Sequence, residues 1–235
     1  MHEIRMQHPG KNSLGTDLIG WLDEELRRAG EEPILLTGTE NAFSAGLNLK
    51  EVLGHDRHGM ETMLRRLDAL FARIFLHPAP VVAYVNGHAI AGGCILMLAC
   101  DWRIAVDEPK ARIGINEVAI GACIPPAALN VVRTRLPRHT IDRVILGAEL
   151  FAPRDALALG LVDEVSADGA TVALKRLQAL AAHPRATFAV TKHALRAGRM
   201  VVSAEDEHRF REREVPIWTS TEMKERISAV LNRGK

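Results

Sequence analysis

One carboxylate in this sequence stands among residues that rarely accompany an acid. Glu117 follows Ile113-Gly114-Ile115-Asn116 and precedes Val118-Ala119-Ile120-Gly121-Ala122-Cys123, so its neighbours are apolar or small. Acidic side chains are seldom buried without cause. In an apolar cleft, desolvation would raise the pKa of Glu117 and suit it to proton transfer; helical or strand alternation would instead turn it toward solvent or a salt bridge. A second chemical signal is Asn86-Gly87-His88-Ala89-Ile90-Ala91-Gly92-Gly93, which precedes an apolar run. Glycines where a turn opens a helix let backbone approach a ligand closely, and the first N–H groups of that helix have no intrahelical acceptor. Such groups stabilise developing negative charge. A third segment, Glu40 to Glu51, places small residues around Gly46. It reads either as a loop turning into a helix or as a second donor, with the Leu47 N–H aimed at the same cleft as the Gly92 N–H. Two facing donors would form an oxyanion hole.

The elements that must carry these groups alternate between strand and helix. Pro80 to Val85 is β-branched and short, as a buried strand should be, and Cys94 to Asp101 suits a helix inside the protein. Upstream, Leu14, Leu18, Leu22, Leu26 and Ala29 recur at helical spacing, with Gly30 to close the helix and Pro33 to Gly38 following as a strand. Met63, Leu67, Leu70 and Ile74 share one side of another helix. Further helices are predicted over Ala128 to Leu136 and His139 to Leu146, and a strand over Leu161 to Val165. From Thr171 onward the pattern is helical without convincing strands. The fold class is therefore α/β with a helical appendage.

Composition narrows the function. The chain of 235 residues is 47% hydrophobic and 25% charged, which is ordinary globular usage. Lys and Arg number 30 against 29 Asp and Glu, a formal charge of +1, without the basic footprint of a nucleic-acid binder. A small-molecule substrate is the better expectation. Cys94, Cys100 and Cys123 lack metal-ligand spacing and read as buried thiols in a reducing compartment. His55 and His58 have no accompanying carboxylate–histidine cluster, so no metal site is expected. The amino terminus lacks the design of a signal peptide and no apolar run suits a membrane span, so a cytoplasmic location is expected. Asp101, at the end of the apolar helix, and His88, beside the glycine turn, are expected to be structural.

Taken together, Ala42 to Glu51, Val85 to Cys94 and the block from Gly147 to Val165 resemble the crotonase (enoyl-CoA hydratase/isomerase) superfamily, over nearly the whole chain. The resemblance implies a crotonase-like spiral of ββα units, with a core over residues 1–180 and a carboxy-terminal helical region over 181–235 used in assembly as a trimer or dimer of trimers. It implies an amino terminus with little of the family's opening strand pair. It implies that an acyl-CoA thioester oxygen lies between the backbone N–H groups of Leu47 and Gly92, with Ser44, Ala45, Asn48 and Asn116 contacting substrate. Coenzyme A is then part of the substrate, and no separate cofactor is implied. Hydratases of the family typically carry two glutamates. Their positions here fall on Ile95 and Glu117, so only one is acidic. This pattern is most like the Δ3,Δ2-enoyl-CoA isomerases of mitochondrial type, with Glu117 as the catalytic base. Hydration or another thioester reaction is the alternative, and a non-catalytic acyl-CoA-binding protein is the alternative of another class. The acyl pocket is expected from the helix around residues 60–76, from Ile124 to Leu129, and from a neighbouring chain's carboxy terminus.

Overall fold

The computed structural model describes residues 1–233. Eight parallel strands form two sheets. The larger runs β1 (His2–Arg5), β2 (Ile34–Thr37), β4 (Val81–Val85), β6 (Trp102–Val106) and β8 (Glu164–Ser166), in that spatial order. The smaller contains β3 (Ala42–Ser44), β5 (His88–Ile90) and β7 (Ile113–Gly114). Each successive strand of the larger sheet, from β2 to β6, turns a corner into a strand of the smaller one. A helix then returns the chain. These repeats form the crotonase-like α/β spiral expected from the sequence.

Fourteen apolar-faced residues make α1 (Thr16–Ala29), which the Glu51 carboxylate caps by accepting from the Thr16 N–H. The next helices are α2 (Leu49–Gly54) and α3 (Arg57–Leu76), and the buried face of α3 includes Met63, Leu67, Leu70 and Ile74, as the spacing predicts. Helix α4 (Gly92–Leu98) is buried along its whole length. The short α5 (Glu117–Ile120) leads to α6 (Pro126–Arg135), whose first N–H groups, Ala127 and Ala128, donate to the carboxylate of Asp68 on α3. Next come α7 (Ile141–Ile145), α8 (Pro153–Ala158) and α9 (Gly169–Ala181), the last packed on β4 and β6. The rest is helical: α10 (Arg185–Arg196), α11 (Ala204–Arg209), a π-turn at Phe210–Glu214, α12 (Val215–Trp218) and α13 (Thr221–Arg233).

The structure departs from the sequence reading at the short strands. Residues 42–44 and 88–90, read as loop and glycine-rich turn, are β3 and β5. With three residues each, they are too short for an alternating pattern to show. The last strand begins at Glu164, because Leu161 is still closing α8 through its N–H to the Ala156 carbonyl. Asp101 and His88 are structural, as expected. The Asp101 carboxylate accepts from Lys192, Arg196 and the Val81 N–H, fastening α10 to the sheet. His88 Nδ1 accepts from the Arg112 N–H at 3.1 Å.

Candidate active site

Two backbone segments meet where α4 begins. The Leu14 N–H donates to the Gly46 carbonyl at 2.7 Å, and the Asn48 N–H donates to the Leu14 carbonyl at 3.1 Å. The groups on either side of Leu47 are thus paired to one strand-like residue, and the Leu47 N–H faces away. Among the described residues it has no acceptor, and neither does the Gly92 N–H. Gly46 has φ +85°, and a Cβ placed there would lie 2.7 Å from the Ile90 carbonyl and 3.4 Å from the Gly92 nitrogen. A Cβ on Gly93 would stand 2.4 Å from the Ser44 carbonyl. Only bare backbone lets the two segments come this close. Ala91 carries the strain of the turn, at φ +53° and ψ −127°, an unusual conformation for a residue with a side chain.

Glu117 comes in from the third ββα unit. The Ala91 N–H donates to the Gly114 carbonyl at 2.8 Å, so the end of β7 is fixed against the residue before Gly92. Glu117 opens α5 three residues later and is 4% exposed. Burial pushes its carboxyl up to about 7, against one local backbone hydrogen bond that lowers it. Its Oε2 is buried without a hydrogen-bond partner among the described residues, and so is Oδ1 of Asn116.

Beside them lies a cavity of about 240 Å³ lined by Ala45, Leu47, Ala91, Asn116 and Glu117, with apolar walls from Leu49, Ile120, Leu150, Trp218 and others; Gly92 adjoins it through Ala91 and is not itself part of the lining. Glu117 is the one titratable side chain among its lining residues. Ile95 is fully buried within α4 and contributes nothing to the lining. Chemically, the site pairs two unengaged N–H groups with one desolvated carboxylate, a combination suited to removing a proton beside a carbonyl whose oxygen takes up the charge.

Of the residues expected to contact substrate, Ala45 and Asn116 line the cavity. The other two side chains are spent on the loop itself. Ser44 is buried, its hydroxyl donating to the Asn12 carbonyl at 2.7 Å and accepting from the Gly46 N–H at 3.3 Å. Asn48 caps α2 by accepting from the Glu51 N–H.

The residues expected to form an acyl pocket, from 60–76 and from Ile124 to Leu129, line a separate cavity of about 190 Å³ whose wall includes Arg65, Ala69, Pro126 and Ala127. The walls of the cavity beside Glu117 include Trp218 and Val230, because α13 packs on α2 and α5 while α12 packs on α3. Sequence reasoning missed Trp218. A large apolar ring among the charges of the carboxy-terminal region was the one available signal.

Comparison with known proteins identifies the family. The family model described as enoyl-CoA hydratase/isomerase matches residues 1–232. The chain belongs to the enoyl-CoA hydratase/isomerase family. Within it, this member is similar to the mitochondrial enoyl-CoA delta isomerase 1 of Mus musculus, at 29% identity over 167 residues, covering 69% of this chain and 58% of the mouse protein. The alignment therefore spans little more than half of that relative. A putative enoyl-CoA hydratase of Thermus thermophilus is 34% identical over 184 residues, covering 77% of this chain and 71% of that one. The crystal structure of human mitochondrial Δ3,Δ2-enoyl-CoA isomerase superposes with a TM-score of 0.90 at 25% identity, covering 98% of this chain and 92% of the human one. The crotonase superfamily resemblance, the fold and membership of an enzyme family are thereby shown.

Proposed function

We propose that this enzyme is a Δ3,Δ2-enoyl-CoA isomerase using Glu117 as its single proton carrier. One observation carries the reading: Glu117 is the only titratable side chain among the described residues lining the cavity, and the position that the family resemblance assigns to a hydratase's other glutamate is the buried aliphatic Ile95. The Glu117 carboxylate takes a proton from C2 of a 3-enoyl thioester. The C2–H electron pair becomes part of a dienolate whose negative charge rests on the thioester oxygen, between the Leu47 and Gly92 N–H groups. The C3–C4 double bond then shifts to C2–C3, and Glu117 returns its proton at C4. No atom is gained or lost. The two N–H groups help because they bind the charge of the dienolate more strongly than the neutral thioester. Burial of Glu117 helps because a carboxylate of ordinary pKa near 4.3 is a feeble base toward such a proton.

Ala45 and Asn116 are the substrate contacts this reading retains by position. Coenzyme A enters as part of the substrate, and no further cofactor has a role in these steps. Purified enzyme incubated with a 3-enoyl-CoA should yield an isobaric 2-enoyl-CoA. A 3-hydroxyacyl product from a 2-enoyl-CoA, formed at comparable rate, would overturn the proposal in favour of hydration.

Assembly as a trimer or dimer of trimers through residues 181–235 is supported by Val190, Leu195 and Val201, which are more than two-thirds exposed although apolar. A monomeric mass by light scattering would refute it. Free thiols at Cys94, Cys100 and Cys123 support a reducing, cytoplasmic setting. No helix among the described residues is long and apolar enough to cross a membrane.

A further inference from the structure

We propose that Trp218 sets the longest acyl chain the cavity accepts, and that the substrates are short-chain acyl thioesters. The inference rests on the acyl-CoA reading above. Apart from Glu117 and Asn116, the lining is apolar and includes Leu49, Ile90, Ile120, Leu150, Trp218 and Val230. An acyl tail is the occupant such walls favour.

Space limits the length of that tail. With roughly 30 Å³ for a water-sized group, a cavity of about 240 Å³ holds about eight non-hydrogen atoms. The thioester carbon, oxygen and sulfur take about three of them, leaving room for about five further carbons, by the same estimate. Acyl groups near hexanoyl therefore fill the cavity, and longer ones need a wall to move.

Trp218 is the wall least able to yield. It is 2% exposed and is part of the continuous hydrophobic core. Its Nε1–H donates to the Cys123 carbonyl at 3.2 Å, so rotation of the indole would leave a buried donor and acceptor unpaired. The helix after it is fixed as well: Gly121, at φ +84°, closes α5 so tightly against α13 that an added Cβ would lie 3.1 Å from Arg226 Cδ and 3.7 Å from Met223 Sδ. Val230, by contrast, is 39% exposed and can move into solvent.

The test is binding of saturated straight-chain acyl-CoAs, from butanoyl to dodecanoyl, measured by calorimetry on the intact enzyme. These compounds have no double bond to move, so the result does not depend on which reaction is catalysed. Wild type should bind hexanoyl-CoA best and dodecanoyl-CoA roughly tenfold more weakly, equivalent to about two methylenes denied burial. Trp218→Leu should shift the optimum to longer chains and leave butanoyl-CoA affinity nearly unchanged. Trp218→Phe, which keeps a ring but lacks the donor, should shift it less and serves if the leucine variant does not fold. Leu174→Ala, on the exposed face of α9 and outside the cavity lining, should leave the profile as it is. Affinity that rises steadily through dodecanoyl in wild type, or an unchanged profile in both Trp218 variants, would overturn the proposal while leaving the acyl-CoA reading intact. Absence of binding by every acyl-CoA would overturn both.

Discussion

The amide of Ala91 donates to the carbonyl of Gly114 across 2.8 Å, and this bond couples the two halves of the site. Ala91 precedes the Gly92 donor, and Gly114 is three residues before the Glu117 carboxylate. The separation of the Gly92 amide and the Glu117 carboxylate, the groups proposed to stabilise charge and to carry the proton, thus depends on the ladder of the small sheet. A side chain in the tight glycine packing beside it should disturb both. In Gly93→Ala the new Cβ would meet the Ser44 carbonyl at 2.4 Å. Overpacking of this kind costs about 1–3 kcal/mol, and a misplaced donor costs roughly 2.7–4 kcal/mol of transition-state stabilisation. Urea unfolding and kcat/KM should both report the change, with activity falling by about two orders of magnitude or more.

Removing the charge of Glu117 should be more severe for catalysis and mild for binding. In Glu117→Gln, kcat should fall by about 10²–10⁴, the range for loss of a general acid–base group, with saturated acyl-CoA affinity within a few-fold of wild type. Stopped-flow assays with a 3-enoyl-CoA check the first outcome and calorimetry the second. Near-normal turnover would place the base elsewhere.

The pH dependence follows from the raised pKa of the same group. The base must be ionised in the free enzyme, so kcat/KM should rise about tenfold per pH unit below about 7 and level off above it. Stability should run the other way. A carboxyl that titrates near 4.5 unfolded and about 7 folded binds its proton more tightly in the folded state. Its favourable contribution is complete below the unfolded value and is lost as pH rises through about 7, by about 3 kcal/mol. Glu117→Gln should therefore be more stable than wild type at pH 8 and little different at pH 4. Denaturant titrations at the two pH values decide it.

The ion cluster beneath α10 gives a prediction independent of catalysis. Asp101 accepts from Lys192 Nζ at 2.7 Å and Arg196 Nη1 at 2.8 Å, and all three side chains are largely buried. Burial, more than the nearby Arg196, pushes the Lys192 ammonium down to about 8 despite the favourable Asp101 charge. Asp101→Ala would strand two buried cations, a change that costs about 3–5 kcal/mol. Thermal unfolding should show a large fall in Tm, while KM of the folded fraction stays near wild type.

Much of this architecture was legible from residue patterns, and the exceptions have physical causes. The long helices α1 and α3, of 14 and 20 residues, announce themselves because each buries one apolar stripe over several turns. Strands β3, β5 and β7 are invisible to periodicity, since two or three residues cannot show an alternation. Their existence depends on pairing with one another. Glu117 was legible because an acid among apolar neighbours is costly unless it is used. The sequence of a polar loop does not say whether its hydroxyl or amide faces a substrate or its own backbone, and in the structure the side chains of Ser44 and Asn48 bond to backbone. Trp218 was missed because it reaches the cavity from 101 residues beyond Glu117, a proximity created only by the fold.

The most direct measurement follows the transferred hydrogen itself. A 3-enoyl-CoA carrying deuterium at both C2 positions, turned over in ordinary water, should give a 2-enoyl product with deuterium at C4 above the solvent level, because one buried carboxyl removes and returns the same nucleus. Deuterium at C4 that disappears in Glu117→Gln along with turnover would complete the assignment. A product with only solvent hydrogen at C4 from the first turnover, or a product heavier by one water, would contradict a single-carboxylate isomerase.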